Sequence, residues 1–519
     1  MFTPFQNEYP YPNFSDERPR RKMEEALALV SSQLGRSYPA IIGGERVESL
    51  QRTTSRNPAR PGQVIGHVTD TPVELLDRAV QAANESFKTW SRVPAEVRAR
   101  YLVVAAAILR RRIYEFSAWM VLESSKSWTE AYADAAEAVD FLEFYAREAV
   151  RWGRPHPTTP MPGEENEVRY QPIGVGVIIS PWNFPLAIMA GMTAAAIVTG
   201  NTVLLKPAEQ TPVIAAKFME LLDLAALPPG VVNFVPGPGE TVGEALTGHP
   251  DIHFVSFTGS RDVGLHINQR IALNPGRRWI KRGVFEMGGK DAIIVDEGVN
   301  PDGAAGEIVA SAFGFQGQKC SACSRLIAHT KIYDALLAKV VERAAKLTVG
   351  DPAVYGTYMG AVIDRDAYNK ILDYVEIGKR EGQLMMGGVD PKNLDLELGT
   401  FVHPTIIADV APKARIAQEE IFGPVLAVIR ADDFDHALEI ANDTDYGLTG
   451  GVFSYNRDHL ERARREFEVG NLYLNRKCTG ALVDVQPFGG FKMSGTDSKA
   501  GGRDYLGHFL LAKSISERW

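Results

Sequence analysis

Through much of the first 150 residues, apolar positions recur every three or four residues, the spacing of amphipathic helices. RRKMEEALALVSSQL predicts a helix beginning near Arg20, and VELLDRAVQAANESFKTW a second. The run from Ala95 to about Ser124 and the segment DAAEAVDFLEFYAREAV continue the same period. Ahead of them, MFTPFQNEYPYPNFSDERPRRKM holds no uninterrupted apolar run, so it is not a secretory signal. It reads as an extended arm, packed on a neighbour or lying in solvent. RWGRPHPTTPMPGEENEVRY then breaks the helical series with proline and polar residues and reads as a connector or excursion.

From Gln171 to about Phe285 the period changes. IGVGVIIS, TVLLK, VVNFVP, HFVSFT and WIKRGVFEM are short strand-type runs with helical segments between them, and Thr211–Pro212 is a helix-entry signal. The alternation predicts an α/β fold with a doubly wound sheet. A second α/β unit begins at DAIIVD, has helices near Ala304–Ala312 and Tyr333–Lys346, and continues through PVLAVIR, GGVFSY and NLYLN. From Tyr170 to Leu205 no side chain is charged, a length that could span a membrane. Pro181, Asn183 and Pro185 interrupt it. It divides instead into a buried strand, a PWNFP turn, a small-residue helix and a second buried strand.

Composition narrows the class. The 519 residues carry a formal net charge of −8, with 45% hydrophobic and 23% charged side chains. That is globular composition, long enough for two or three domains, and its acidity leaves no footprint for nucleic acid. Three cysteines cannot build a disulfide framework, and one must stay unpaired, which points to a reducing compartment, the cytoplasm.

A doubly wound sheet invites a dinucleotide. GPGPGETVG offers Gly237, Gly239 and Gly243, and FTGSRDVG offers Gly259 at a strand-to-helix turn. Either is a phosphate cradle or simply a turn. KPAE adds Lys206 and Glu209, a cation and an acid suited to ribose hydroxyls or to a solvated loop. Cys320, in FGFQGQKCSACSRL, lies beside Lys319, so access and support for a thiolate are both expected. Cys323 completes a C-x-x-C spacing, but only Cys478 remains elsewhere, which argues against a metal site. Glu286, before a Gly-Gly turn, and Asn183, in PWNFP, would complete a thiol mechanism as base and oxyanion donor. Taken singly they read as a surface acid and a turn asparagine.

PWNFP, KPAE, FTGS, E-x-GGKDA, GQ-x-C, EEIFGP and PFGGFK-x-SG occur in the order of the aldehyde dehydrogenase superfamily, which the chain resembles over nearly its whole length. GFQGQKCSA, EEIFGPVL and NRKCTGALVDVQPFGGFKMSGT resemble the branch acting on L-glutamate γ-semialdehyde, in its monofunctional form. The resemblance implies a Rossmann-type cofactor domain (1–150 with the arm, and 171–285) and an α/β catalytic domain (286–480). It also implies a small oligomerisation flap (151–170 and 501–519) and a return segment (481–500) near the active site. Dimers are expected, with a hexamer as a further assembly.

By the same resemblance Cys320 is the nucleophile, Asn183 and the Cys320 amide the oxyanion donors, and Glu286 the base for thioester hydrolysis. Ser180, Pro181, Trp182, Lys206, Glu209, Gly239, Gly243, Thr258, Gly259, Ser260, Glu420 and Phe422 would surround NAD. An acid at Glu209 favours NAD, with NADP still admitted. Ser321 with the Gly480–Ala481 turn would anchor a carboxylate, Phe184 and Phe488 clamp the stem, and Glu137 take the ammonium; plain core packing is the other reading of the two phenylalanines. Cys323 and Cys478 are expected to be bystanders. The implied reaction is NAD-dependent oxidation of L-glutamate γ-semialdehyde to L-glutamate in proline catabolism, with a proline dehydrogenase as pathway partner. The competing readings are a succinate-semialdehyde or broad-specificity aldehyde dehydrogenase, and a family member kept for structure or ligand binding alone.

Overall fold

Two seven-stranded sheets and three smaller ones are formed by the described residues. The computed structural model describes residues 3–273, 278–388 and 399–519. In the first large sheet the strands lie in the order Arg282–Glu286, Phe254–Thr258, Val175–Ile179, Thr202–Lys206, Val232–Phe234, Ala40–Ile42 and Glu45–Val47. The first five are parallel and the last two join antiparallel. Val175–Ile179 and Thr202–Lys206 are buried almost throughout, as parallel strands covered by helices on both faces must be. The charge-free stretch therefore resolves into strand, turn, the helix Ala187–Val198 and strand. Among the described residues no helix is long and apolar enough to cross a membrane.

The second sheet has the order Gln383–Met386, Thr405–Ala408, Val425–Ala431, Cys323–His329, Asp291–Val295, Thr449–Phe453, Asn471–Leu474. Only its first pair is antiparallel. In the third sheet, Leu510–Arg518 pairs with Glu164–Pro172 along its whole length, and His156–Pro157 lies beyond.

Three expectations need correction. The region before residue 150 is not mostly helical throughout, because five strands, of three to ten residues, lie between Arg36 and Thr69. Two of them extend the first large sheet, and the others form a three-stranded sheet of their own. The excursion set at 151–170 begins inside the helix Trp128–Trp152 and ends inside a strand that runs to Pro172. In the tail, residues 501–509 are not all flap, since Tyr505, Leu506 and Phe509 are buried against the first core.

The described part of the arm packs on its own chain. It lies antiparallel along the helix Trp128–Trp152: the Thr3 carbonyl accepts from Arg147, Phe5 packs on Phe144, and the Glu8 amide donates to Asp140. Farther along, Tyr11 meets Tyr132 and Phe14 meets Trp128. Phe14 is buried, which ties the arm down by roughly 1.5–3 kcal/mol of apolar burial.

Candidate active site

Register places the ends of the first sheet's strands in one row. Ile179 is level with Lys206 and with Phe257, and Thr258 is level with Glu286. From Val175–Ile179 the chain proceeds outward on one side through Thr202–Lys206, then returns to the other side with Phe254–Thr258. Such a reversal opens a crevice at the carboxyl ends of the strands, where dinucleotides bind in doubly wound sheets.

One flank of that crevice gathers the residues proposed for the ribose. Lys206 is buried; its Nζ donates to the Pro207 carbonyl at 3.2 Å and lies 3.7 Å from Glu209 Oε1. Burial lowers the proton affinity of this amine, and Glu209 opposes the shift. Glu209 Oε1 also accepts from the Gly239 amide at 2.7 Å, and a Cβ on Gly243 would stand 3.7 Å from the Lys206 stem. The Ser180 amide donates to the Lys206 carbonyl at 3.3 Å. Ser260 caps the helix Arg261–Ala272, accepting from the Val263 amide. The Gly259 amide is already committed to the Glu286 carbonyl, and the Thr258 hydroxyl is directed at Met192 Sδ. A phosphate would therefore meet the helix start beyond Ser260 and not the Gly259 amide. Pro181 leads into Trp182, whose ring meets Phe422 edge-on at 5.4 Å.

The glycines of E-M-G-G-K draw three motifs together. A Cβ on Gly288 would lie 2.2 Å from Glu420 Oε2, and one on Gly289 would lie 2.3 Å from the Cys320 carbonyl oxygen. The Gly289 amide donates to Glu420 Oε1 at 2.9 Å. Any side chain at either position would push Glu420 or the Cys320 loop away. That loop is itself strained: Phe315 and Gln316 have φ of 48° and 56°. Each costs about 1–3 kcal/mol. Hydrogen bonds from Gln316 to the Ser125 and Ala361 carbonyls, and from the Ile363 amide to Gln318, hold it in place.

Cys320 is half-buried. Burial, then Asp291, Glu420 and Glu286, pushes its thiol well above the ordinary range, so at rest it is protonated. Lys319 does not support a thiolate as its adjacency suggested, because its ammonium pairs with Glu130 at 2.7 Å. Glu286 Oε1 accepts from the Ser498 hydroxyl, while Oε2 is buried with no partner among the described residues. Burial pushes this carboxyl up to about 8, against the pull of Ser498 and Lys499. A buried carboxyl titrating near neutrality suits a general base. Asn183 is buried and donates to the Gln318 carbonyl at 3.1 Å, tying PWNFP to the loop two residues before Cys320. Asn183→Ala should lower kcat about 10²–10³-fold. A loss below about tenfold in a steady-state NADH assay would remove Asn183 from the oxyanion role.

At the other end, Phe184 meets Phe315 edge-on, and the buried Lys126 ammonium lies 4.0 and 4.1 Å from the two ring centroids. Lys126 pairs with Asp134 at 3.3 Å, and Asp134 accepts from the Ala187 amide at the start of the helix that follows PWNFP. The Ser321 carbonyl accepts from the Thr449 hydroxyl and from the Cys478 thiol, which brings the Gly480–Ala481 turn beside the reactive loop. Gly480 has φ of 78°, and among the described residues no acceptor takes the amide of Gly480 or Ala481. Phe488 is held by paired backbone bonds to Ala500. Glu137 is half-buried, its carboxyl pushed up to about 8 by burial, Asp134 and Asp140. Cys323 and Cys478 are packed in the second domain's core, as expected of bystanders; the Cys323 thiol donates to the Arg325 carbonyl at 3.4 Å and the Cys478 thiol to the Ser321 carbonyl at 3.5 Å. Among the described residues no group of three or more His, Cys, Asp or Glu could hold a metal ion.

Ser498, Lys126, Gln316 and Glu130 were not anticipated. Ser498 lies in the return segment but has no spacing of its own to announce it. Lys126 lies between two helices and Glu130 in the first turn of the second; both read as ordinary surface, and only tertiary packing buries Lys126 and half-buries Glu130.

Residues 46–515 match the family model described as the aldehyde dehydrogenase family. The chain belongs to the aldehyde dehydrogenase family. Within it, the chain is 57% identical to 1-pyrroline-5-carboxylate dehydrogenase of Geobacillus thermodenitrificans, with all of both chains covered. It is similar to a solved 1-pyrroline-5-carboxylate dehydrogenase from Thermus with bound NAD, at 52% identity, full coverage of both chains and a TM-score of 0.97. It also matches proline utilization A of Bdellovibrio bacteriovorus at 43% identity and a TM-score of 0.96, covering 99% of this chain and 53% of that one. Other aldehyde dehydrogenases share the fold at greater distance, among them betaine aldehyde dehydrogenase of Staphylococcus aureus, at 30% identity and a TM-score of 0.89.

Proposed function

We propose that the protein oxidises L-glutamate γ-semialdehyde, the open form of 1-pyrroline-5-carboxylate, to L-glutamate with NAD. The observation that carries this reading is the Gly480–Ala481 turn, its two amides unclaimed, held beside the Cys320 loop through Cys478 and Ser321. Successive unpaired amides make a carboxylate nest, which a simple alkanal would leave empty. The full-length likeness to enzymes named for this substrate supports it.

Bound NAD would accept the hydride. Lys206 and Glu209 would hold its ribose, the helix start after Ser260 its pyrophosphate, and Glu420 and Phe422 its nicotinamide end. Cys320 would lose its thiol proton to solvent as Sγ adds to the aldehyde carbon, with Asn183 Nδ2 and the Cys320 amide holding the oxyanion. Loss of hydride from that carbon leaves a thioester on Cys320. Glu286 would then take a proton from water as its oxygen attacks, releasing the acid and the thiolate. A thiol adds readily and leaves readily, so one hard oxidation becomes two easier steps. Ser321 with the nest, Glu137 and the Phe184–Phe488 clamp would hold the amino-acid end. The Glu209 carboxylate would repel a ribose phosphate, so NAD is preferred over NADP.

The Leu510–Arg518 strand leaves one edge of its sheet uncovered, an edge suited to pairing with a second copy. A homo-oligomer follows: a dimer, with a hexamer as a further assembly. A reducing cytoplasm keeps Cys320 usable. The match to proline utilization A supports a place in proline catabolism beside a proline dehydrogenase.

Steady-state NADH formation with a panel of aldehydes tests the substrate. The semialdehyde of glutamate should exceed succinate semialdehyde and propanal in kcat/KM by about tenfold or more, the worth of one charge-assisted anchor. A preference for either of the others would overturn the assignment.

A further inference from the structure

We propose that the N-terminal arm is a specificity element: it closes the amino-acid end of the substrate pocket and brings the Tyr11 hydroxyl to the acidic helix face that carries Glu137. This rests on the amino-acid aldehyde reading given above. The placement follows from the arm's path. Asn7 and Glu8 are fixed on Asp140, and Tyr11 is fixed edge-on against Tyr132 at 6.1 Å between ring centroids. Residues 9–11 therefore pass over the turns of helix between these two contacts, and Glu137 lies there.

A second contact connects the arm to the other half of the pocket. Asn7 Nδ2 donates to the Val483 carbonyl at 2.9 Å, two residues beyond Ala481. One side chain thus joins the helix bearing the proposed ammonium site to the loop bearing the proposed carboxylate nest. Tyr11 is half-buried, and burial together with Glu137, Asp140 and Glu130 keeps its hydroxyl protonated. It is a neutral donor set among carboxylates, able to serve Glu137 or the head group without adding charge. An aldehyde with no head group gains nothing from either contact.

The readout is the ratio of kcat/KM for L-glutamate γ-semialdehyde to that for propanal, measured on the full-length protein. Tyr11→Phe keeps the ring packing and removes only the hydroxyl. The ratio should fall about three- to tenfold, the range for one lost hydrogen bond, and chiefly through KM for the semialdehyde. Asn7→Ala, which keeps Tyr11 but frees the arm from Val483, should move the ratio the same way. A purely structural role would lower both substrates together, and a ratio unchanged within about twofold in both variants would overturn the proposal. A wild-type ratio near one would refute the amino-acid substrate itself, and this proposal with it.

Discussion

Replacing Cys320 by serine should lower turnover by about a thousandfold or more, while NAD binding stays within about twofold. The site is built around a group that can be a neutral thiol at rest and a good leaving group later. Burial and three carboxylates already hold the thiol well above its usual range. An alcohol in the same place starts from a still weaker acid, and its ester would be a poorer acyl carrier. The ribose-binding candidates are anchored separately, on the end of the Thr202–Lys206 strand and the Gly239 turn. Titration of NAD by fluorescence, beside an NADH assay, separates the two effects. Serine turnover within about tenfold of the parent would refute Cys320 as nucleophile.

Glu286→Gln should trap the reaction halfway. If Glu286 activates water, the first oxidation still runs once, so about one NADH per active site appears in a burst and then stops. Steady turnover falls about 10²–10⁴-fold, the usual worth of a positioned base. The parent should show the titration of this group. Its carboxyl is raised from 4.5 to about 8 by burial, so the base form grows with pH. Where thioester hydrolysis limits the rate, kcat rises up to tenfold per pH unit below about 8 and levels off above it. The glutamine variant should lose that rise. Full steady turnover in the variant, with no burst, would assign the water step elsewhere.

Much of the architecture was legible because parallel strands buried on both faces announce themselves as apolar runs. IGVGVIIS, TVLLK, HFVSFT and DAIIVD all became strands of the two large sheets. The strands between Arg36 and Thr69 escaped because several are three residues long and polar on one or both faces, as in Glu45–Val47. Motif order brought Cys320, Glu286 and Glu420 to attention, and the Gly288–Gly289 turn explains how they meet. Adjacency in sequence misled at Lys319, whose long side chain leaves its loop for Glu130 in the helix Trp128–Trp152. Cys478 packs in the core as its apolar character suggested, and what its position adds is a thiol contact to the Ser321 carbonyl. The arm could not be placed from its composition, since its partner helix lies more than a hundred residues away.

The substrate reading is tested most directly by the crystal structure of the protein soaked with L-glutamate and NAD. Glutamate should lie with its α-carboxylate on the Gly480 and Ala481 amides and Ser321, its ammonium toward Glu137, and its γ-carboxylate at Cys320 and Asn183. Glutamate bound the other way round, or an anchor turn left empty at saturating glutamate, would contradict it.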